Sequence, residues 1–266
     1  ESIITPSQEK SYIKNIEQEI VKYNGDLVLV YNEYAKNILE KTKAFESTII
    51  KVIGIPRLDY FHTVRNYGNK NKKYTILYFL IDDKAGFRGH ERKEIKKDYL
   101  QTMIKDINET VIEVAEKHPE INVILKAKQE YNITQKSKFK MPLPKNVKFV
   151  SRGSSYNVLP KASLAIAFGS TTIFECIAAG LEVIVPDFQG MDVGLSKKIG
   201  YDLNKKYLVS SKTALKLKLE NSIKKKHLTH KKIDPIDQST LKDWVGNNDG
   251  LSSQRLLNEI NLMLMN

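Results

Sequence analysis

The residues best placed to do chemistry lie in LAIAFGSTTIFECIAAGLEVIVPDF, residues 164 to 188. A strand-like run ends at Gly169, three hydroxyl residues follow, and a helix-like run begins. The free amides of a helix's first turn and its positive dipole end favour an anion. Hydroxyls of Ser170, Thr171 and Thr172 can donate to phosphate oxygens, and Gly169 lets the backbone come close. The same serine and threonines are also ordinary helix caps, so the segment reads equally well as capping. Glu175, early in that helix, is set to accept from two vicinal ribose hydroxyls, or serves as a favourable charge in the first turns.

Further candidates lie in loops that follow apolar runs. In IDDKAGFRGHERK, Gly86 and Gly89 flank Phe87 and Arg88, and Arg88 can clamp a phosphate bidentately while Lys84 adds a point charge. A mobile basic loop is the competing reading. Lys126 ends an apolar run and is a second source of positive charge for the anion. His90 is a general-base candidate by location alone. Asp187, Gln189 and Asp192 follow the run Val183 to Pro186 and can hydrogen-bond a sugar, although QGMDVG also suits a turn. His227 and His230 sit in a lysine run that repels zinc, and no histidine pair has metal-ligand spacing.

Elements that would position these groups are visible in the apolar periodicity. Ser7 to Tyr23 reads as a helix, Leu27 to Tyr31 as a strand, Glu33 to Lys43 as a helix and Ile49 to Ile53 as a strand. From Phe61 to Lys73 the chain is polar without an apolar period. After it come a strand from Tyr74 to Ile81, a long helix from Glu94 to His118, and strands at 121–125, 147–150, 164–168 and 182–186. Strands alternating with helices predict an α/β fold, a Rossmann-like doubly wound parallel sheet. Such sheets bind ligands at the carboxyl ends of their strands. Leu251 to Leu264 reads as a last amphipathic helix.

Composition narrows the classes. With 266 residues, 41% hydrophobic and 28% charged, the chain can build a core without staples. Its single cysteine, Cys176, excludes an intrachain disulfide and suits a reducing, cytoplasmic setting. The longest apolar run has eight residues, against roughly 20 for a membrane-crossing helix. A net charge of +12 favours anionic partners. Between Lys205 and Lys232 ten lysines face one acid, Glu220, which fits a solvated face or contact with an anionic membrane surface or acceptor. Nucleic acid is disfavoured, since Tyr207 is the only aromatic there and no nucleic-acid-binding signature accompanies the charge.

GSTTIFECIAAGLEVIVPDF resembles the donor-binding segment of GT-B-type glycosyltransferases, in which a hydroxyl-rich loop and a following Glu hold a sugar nucleotide. IIKVIGIPRLDYFH, residues 49 to 62, resembles the "viGnPRfD" end of the amino-terminal domain in bacterial surface-carbohydrate transferases, Kdo-transferase-like and CDP-glycerol glycerophosphotransferase-like proteins among them. VILKAKQEY, residues 123 to 131, resembles their "v-K-hP" strand end, with Ala127 and Lys128 where His and Pro are expected. The resemblance implies a remnant of the amino-terminal, acceptor-side domain in 1–66, a linker in 67–73, a nucleotide-donor-binding domain in 74–250 and a terminal helix in 251–266. It implies that an upstream region has been removed or that the chain is a minimal relative. It implies transfer of a glycosyl group from a nucleotide-sugar donor to a polysaccharide or lipid-linked acceptor, peripheral to the membrane's inner face. The donor is a substrate, so no cofactor and no metal is required by this design. Glycerophosphoryl transfer from CDP-glycerol, a UDP-sugar 2-epimerase-like reaction and a non-enzymatic basic module are the alternatives.

Overall fold

The computed structural model describes residues 9–20, 22–67, 73–81, 97–129, 132–188, 203–225 and 234–265. The chain forms two compact units, Glu1–Tyr67 with Ile233–Asn266, and Gly68–Lys232.

The second unit carries the chemistry-bearing segments on a six-stranded parallel sheet. Its strands are β3 (Thr75–Phe79), β4 (Asn122–Lys126), β5 (Val147–Val150), β6 (Leu164–Ile166), β7 (Glu182–Pro186) and β8 (Leu208–Val209). Their spatial order is β5-β4-β3-β6-β7-β8. The chain therefore starts in the middle, winds outward through β4 and β5, then returns to β6 beside β3 and winds the other way. This is the expected doubly wound fold, and its topological switch lies between β3 and β6. Near-continuous apolar sequence makes such strands: Ile76, Leu77, Tyr78, Leu164, Ala165 and Ile166 are all fully buried. Tyr78 keeps its hydroxyl satisfied by donating to Asn108 Oδ1 at 3.0 Å.

Helix α4 (Lys97–Lys117) follows β3 and buries Leu100, Met103, Ile104, Ile107, Val111 and Val114, a stripe at helical spacing. The short α6 (Thr172–Ala178) links β6 to β7. Gly180, at φ +74°, ends it in a Schellman turn, with Gly180 N–H on the Ile177 carbonyl and Leu181 N–H on that of Cys176. Helix α7 (Lys212–Lys224) lies along α4. Lys212 meets Glu109 at 2.6 Å, Lys216 meets Glu113 at 2.9 Å, and Glu220 meets Lys117 at 2.7 Å.

The first unit holds α1 (Glu9–Glu19), the parallel strands β1 (Leu27–Val30) and β2 (Ile49–Val52), α2 (Glu33–Glu40) between them, and α3 (Pro56–Tyr67). Helices α8 (Pro235–Val245) and α9 (Ser252–Met265) return to it. Two sequence boundaries differ here. Residues 61–67 belong to α3, where Leu58 and Phe61, three apart, supply a narrow buried face within otherwise polar sequence. Residues 234–250, expected in the donor-binding domain, are held by the first unit. Asn32 explains how: its Oδ1 accepts Ala35 N–H to cap α2, while its Nδ2 donates to the Asp243 and Trp244 carbonyls at the end of α8. Gly246, at φ +80°, passes so close to β1 that a Cβ would fall 1.9 Å from the Tyr31 carbonyl oxygen.

Candidate functional site

At the carboxyl ends of the second unit's strands lies a cleft of about 460 Å³. Its wall runs from Ser151–Ser155 after β5, through Lys126–Gln129 after β4 and Phe79–Ile81 at β3, to Phe168–Ser170, Thr172 and Glu175 at β6 and α6. Three strand spacings of ~4.8 Å put these edges about 14 Å apart, so an elongated ligand can lie across the switch point.

Lys126 is the last residue of β4, paired with Phe79 on one side and Val150 on the other, which fixes where its side chain starts. Only 8% of it is exposed. Its ammonium donates to the Ala127 carbonyl at 2.8 Å and, among the described residues, forms no ion pair. Burial holds its pKa below the ordinary lysine range, because the charged form has lost much of its hydration. An ammonium has three donors, so two remain for a ligand in the cleft.

Opposite in the strand order, the β6–α6 turn is built around Gly169 at φ +55°, a conformation costly for residues with a Cβ. The Thr172 N–H donates to Ser170 Oγ at 3.3 Å, a local turn just ahead of the N-cap Thr171, whose own side chain makes no capping bond. Helix α6 has seven residues. The amides of Thr172, Ile173, Phe174 and Glu175 are all engaged, the last three on the Ser170 and Thr171 carbonyls, so anion binding here leans on Lys126 and hydroxyls rather than on the helix amides. Thr172 Oγ1 is buried in this wall without a hydrogen-bond partner. Glu175 is 6% exposed and lines the same cleft, whereas Thr171 does not line it. The structure thus brings together Lys126, Gly169, Ser170, Thr172 and Glu175. Arg88, His90, Gln189 and Asp192 lie outside the described residues.

Sequence reasoning missed the β5 wall and Gln135. The segment SRGSS has the composition of GSTT, a glycine among hydroxyls directly after a strand, and Gly153 sits at φ +78°. That signal was readable. Gln135, on the one-turn helix α5 (Asn132–Lys136), is 1% exposed and donates from Nε2 to the Leu80 carbonyl at 3.1 Å, fixing the end of β3. A lone polar residue in a charged stretch gave no such warning.

A larger groove of about 680 Å³ lies between α4 and residues 138–144. Ile104, Ile112, Phe139, Pro142 and Pro144 give its lining an apolar part, and the carboxylates Glu109 and Glu113 there are matched by Lys212 and Lys216. The lysine-rich stretch is also partly accounted for within the unit. Besides those two pairs, Lys218 donates to the Lys206 carbonyl, and Lys224 and Lys225 stand exposed. Among the described residues no group of three or more His, Cys, Asp or Glu is placed to hold a metal ion, and no helix is long and apolar enough to cross a membrane.

No family model and no curated protein matches the chain. Solved structures do. The wall teichoic acid polymerase TagF aligns with 96% of this chain at a TM-score of 0.54 and 15% identity. A TagF H444N variant soaked with CDPG aligns at 0.52 and 15% identity, over 96% of this chain and 61% of that one. UDP-GlcNAc 2-epimerase from Neisseria meningitidis, bound to UDP-GlcNAc, aligns over 91% of this chain and 62% of its own at 0.51 and 13% identity. The chain spans 62% of the first of these TagF chains and 63% of a TagF H444N chain, less than two thirds of their length. At such identities the likeness is one of fold, and that fold is the α/β architecture of the GT-B type.

Proposed function

We propose that the cleft at the β3–β6 switch binds a nucleotide-activated donor, and that the chain serves transfer of its glycosyl group to a polysaccharide or lipid-linked acceptor. The buried Lys126 ammonium carries this reading. A desolvated cation with unused donors is costly in an empty protein, and a phosphate in the cleft offsets that cost. Thr172 Oγ1 and the Ser170 hydroxyl add donors on the other side of the switch, and Glu175 accepts from ribose hydroxyls. Bound this way, the diphosphate is held as a leaving group whose developing charge meets fixed donors. The base that activates the acceptor is not among these residues.

A second reading, glycerophosphoryl transfer from CDP-glycerol, draws on the TagF likeness, and UDP-sugar epimerisation draws on the epimerase. A thermal-shift panel of CMP-, CDP-, UDP- and GDP-linked donors separates a CDP-linked donor from the others, since a ligand selective for the native state raises Tm by mass action. A rise with one nucleotide alone supports the site and identifies its base, and the product formed from a UDP-sugar then tells transfer from epimerisation. No rise with any of them, or binding that collapses steeply with salt as on a nucleic-acid surface, defeats it.

A further inference from the structure

The groove of about 680 Å³ beside α4 contains a hydrogen-bond donor that the fold leaves unused. Asn108 lines it with only 5% of its surface exposed, and its Oδ1 is taken by the Tyr78 hydroxyl at 3.0 Å. Its Nδ2 has no partner among the described residues. A nearly buried amide gains most when its donors are met, so this point of the groove calls for an occupant carrying an oxygen acceptor. Apolar neighbours flank the amide on both sides. Ile104 and Ile112, four residues before and after it, lie about 6 Å away along the helix in either direction, and Phe139, Pro142 and Pro144 line the groove with them.

That spacing suits an extended peptide. Side chains on one face of an extended chain recur every ~6.6 Å with backbone carbonyls between them, so apolar side chains can meet the two isoleucines while a carbonyl accepts from Asn108. From Gln101 to Glu116 the lining runs about 22 Å along α4, room for about six or seven extended residues. An oligosaccharide fits less well, because most of its hydroxyls would face isoleucine and proline without partners. Charge sets the sign of the occupant. From residue 131 to residue 174 the chain has no Asp or Glu, and Lys138 and Lys140 of that stretch line the groove. On the α4 side two carboxylates, Asp106 and Glu109, face three ammoniums: Lys105 at 3.9 Å and Lys212 at 2.6 Å from Glu109, and Lys140 close enough to help hold the Glu109 pKa down. Positive charge is in surplus there. Glu116 stands about 10 Å further along the helix, so acidic side chains of an occupant belong at the lysine end. Beside Lys140 and Pro142, Met141 is 58% exposed and extends the apolar surface.

We propose that this groove docks an extended, acidic segment of a partner protein, with one backbone carbonyl on Asn108 and apolar side chains toward Ile104 and Ile112. The donor cleft plays no part in it. Selection of a displayed library of random dodecapeptides on the 266-residue chain tests it. Enriched peptides should share two apolar positions about three or four residues apart, with Asp or Glu beyond one of them. By fluorescence anisotropy, an enriched peptide should bind Asn108→Asp about tenfold more weakly, since one carboxylate oxygen still accepts from Tyr78 while the other replaces the donor. Lys140→Glu, at an exposed position, leaves the core untouched and should weaken binding about threefold or more with little change in Tm. No enriched sequence, a consensus without acids, or a peptide held as tightly by either variant as by the parent overturns the proposal. So does a dimer of the chain alone that Lys140→Glu dissolves, which would give the groove to a second copy.

Discussion

The Asp59 carboxylate on α3 accepts the backbone N–H of Ser253 at 2.7 Å, across 194 residues of sequence, and its other oxygen accepts that of Ser252 at 3.1 Å. One acidic side chain thus caps a helix from outside, meeting two of the donors that begin α9. Gly54 completes the fit. At φ +85° it lies where a Cβ would come within 2.5 Å of Ser252 Oγ and 3.0 Å of the Asn247 carbonyl. In the GIPRLD segment, glycine and aspartate are therefore accounted for by packing of the tail on α3.

Asp59→Ala should remove that cap and destabilise the first unit by about 1–2 kcal/mol, the usual range for a lost helix cap. For a chain of this length the corresponding fall in Tm is several degrees. Asp59→Asn, which keeps an acceptor, should cost less. The nucleotide-induced rise in Tm should persist in both variants, because the cleft belongs to the second unit. An unchanged Tm in Asp59→Ala would show that the capping contributes nothing.

Gly169→Val and Ser170→Ala should part company. Valine at φ +55° is strained and places a branched side chain in the cleft wall, so donor binding should be lost. Ser170→Ala removes one hydroxyl whose oxygen already receives the Thr172 amide, and should weaken binding by only about 1 kcal/mol. Calorimetry with the nucleotide chosen by the thermal-shift panel measures both. Equal losses, or none at Gly169→Val, would place the phosphates elsewhere.

Glu175→Gln tests the ribose role. It keeps the size of a side chain that is nearly buried and removes its charge. Nucleotide affinity should fall by about 1–3 kcal/mol, with little change in Tm. A large drop in Tm with unchanged affinity would make Glu175 a structural part of α6.

Most of the sheet was legible because parallel strands are buried on both faces and read as unbroken apolar runs, as at Thr75–Phe79 and Glu182–Pro186. Strand β8 was not, since its two residues, Leu208 and Val209, are too few for any period. Helix α3 was obscured because Leu58 and Phe61 pack a narrow face while Asp59 works through hydrogen bonds, which leave no mark in hydropathy. The cleft's Gly169 and Glu175 could be read from a strand–turn–helix pattern. Gln135 could not, because its place depends on where the Leu80 carbonyl ends up in three dimensions.

Lys126→Met should separate binding from stability. The ammonium is desolvated in the unliganded protein and has no ion pair among the described residues, so an apolar side chain of similar length relieves a cost. The variant should melt at the same temperature as the parent or higher, yet show no rise in Tm with any nucleotide. The pH dependence has a definite sign. A lysine whose folded pKa is depressed binds its proton more tightly in the unfolded chain, so the unliganded parent gains stability as pH rises from that depressed value toward 10.5. Lys126→Met should lack this gain, flattening Tm against pH over that window. If the variant instead loses stability and keeps its nucleotide response, Lys126 supports the end of β4 and the phosphate lies beyond its reach.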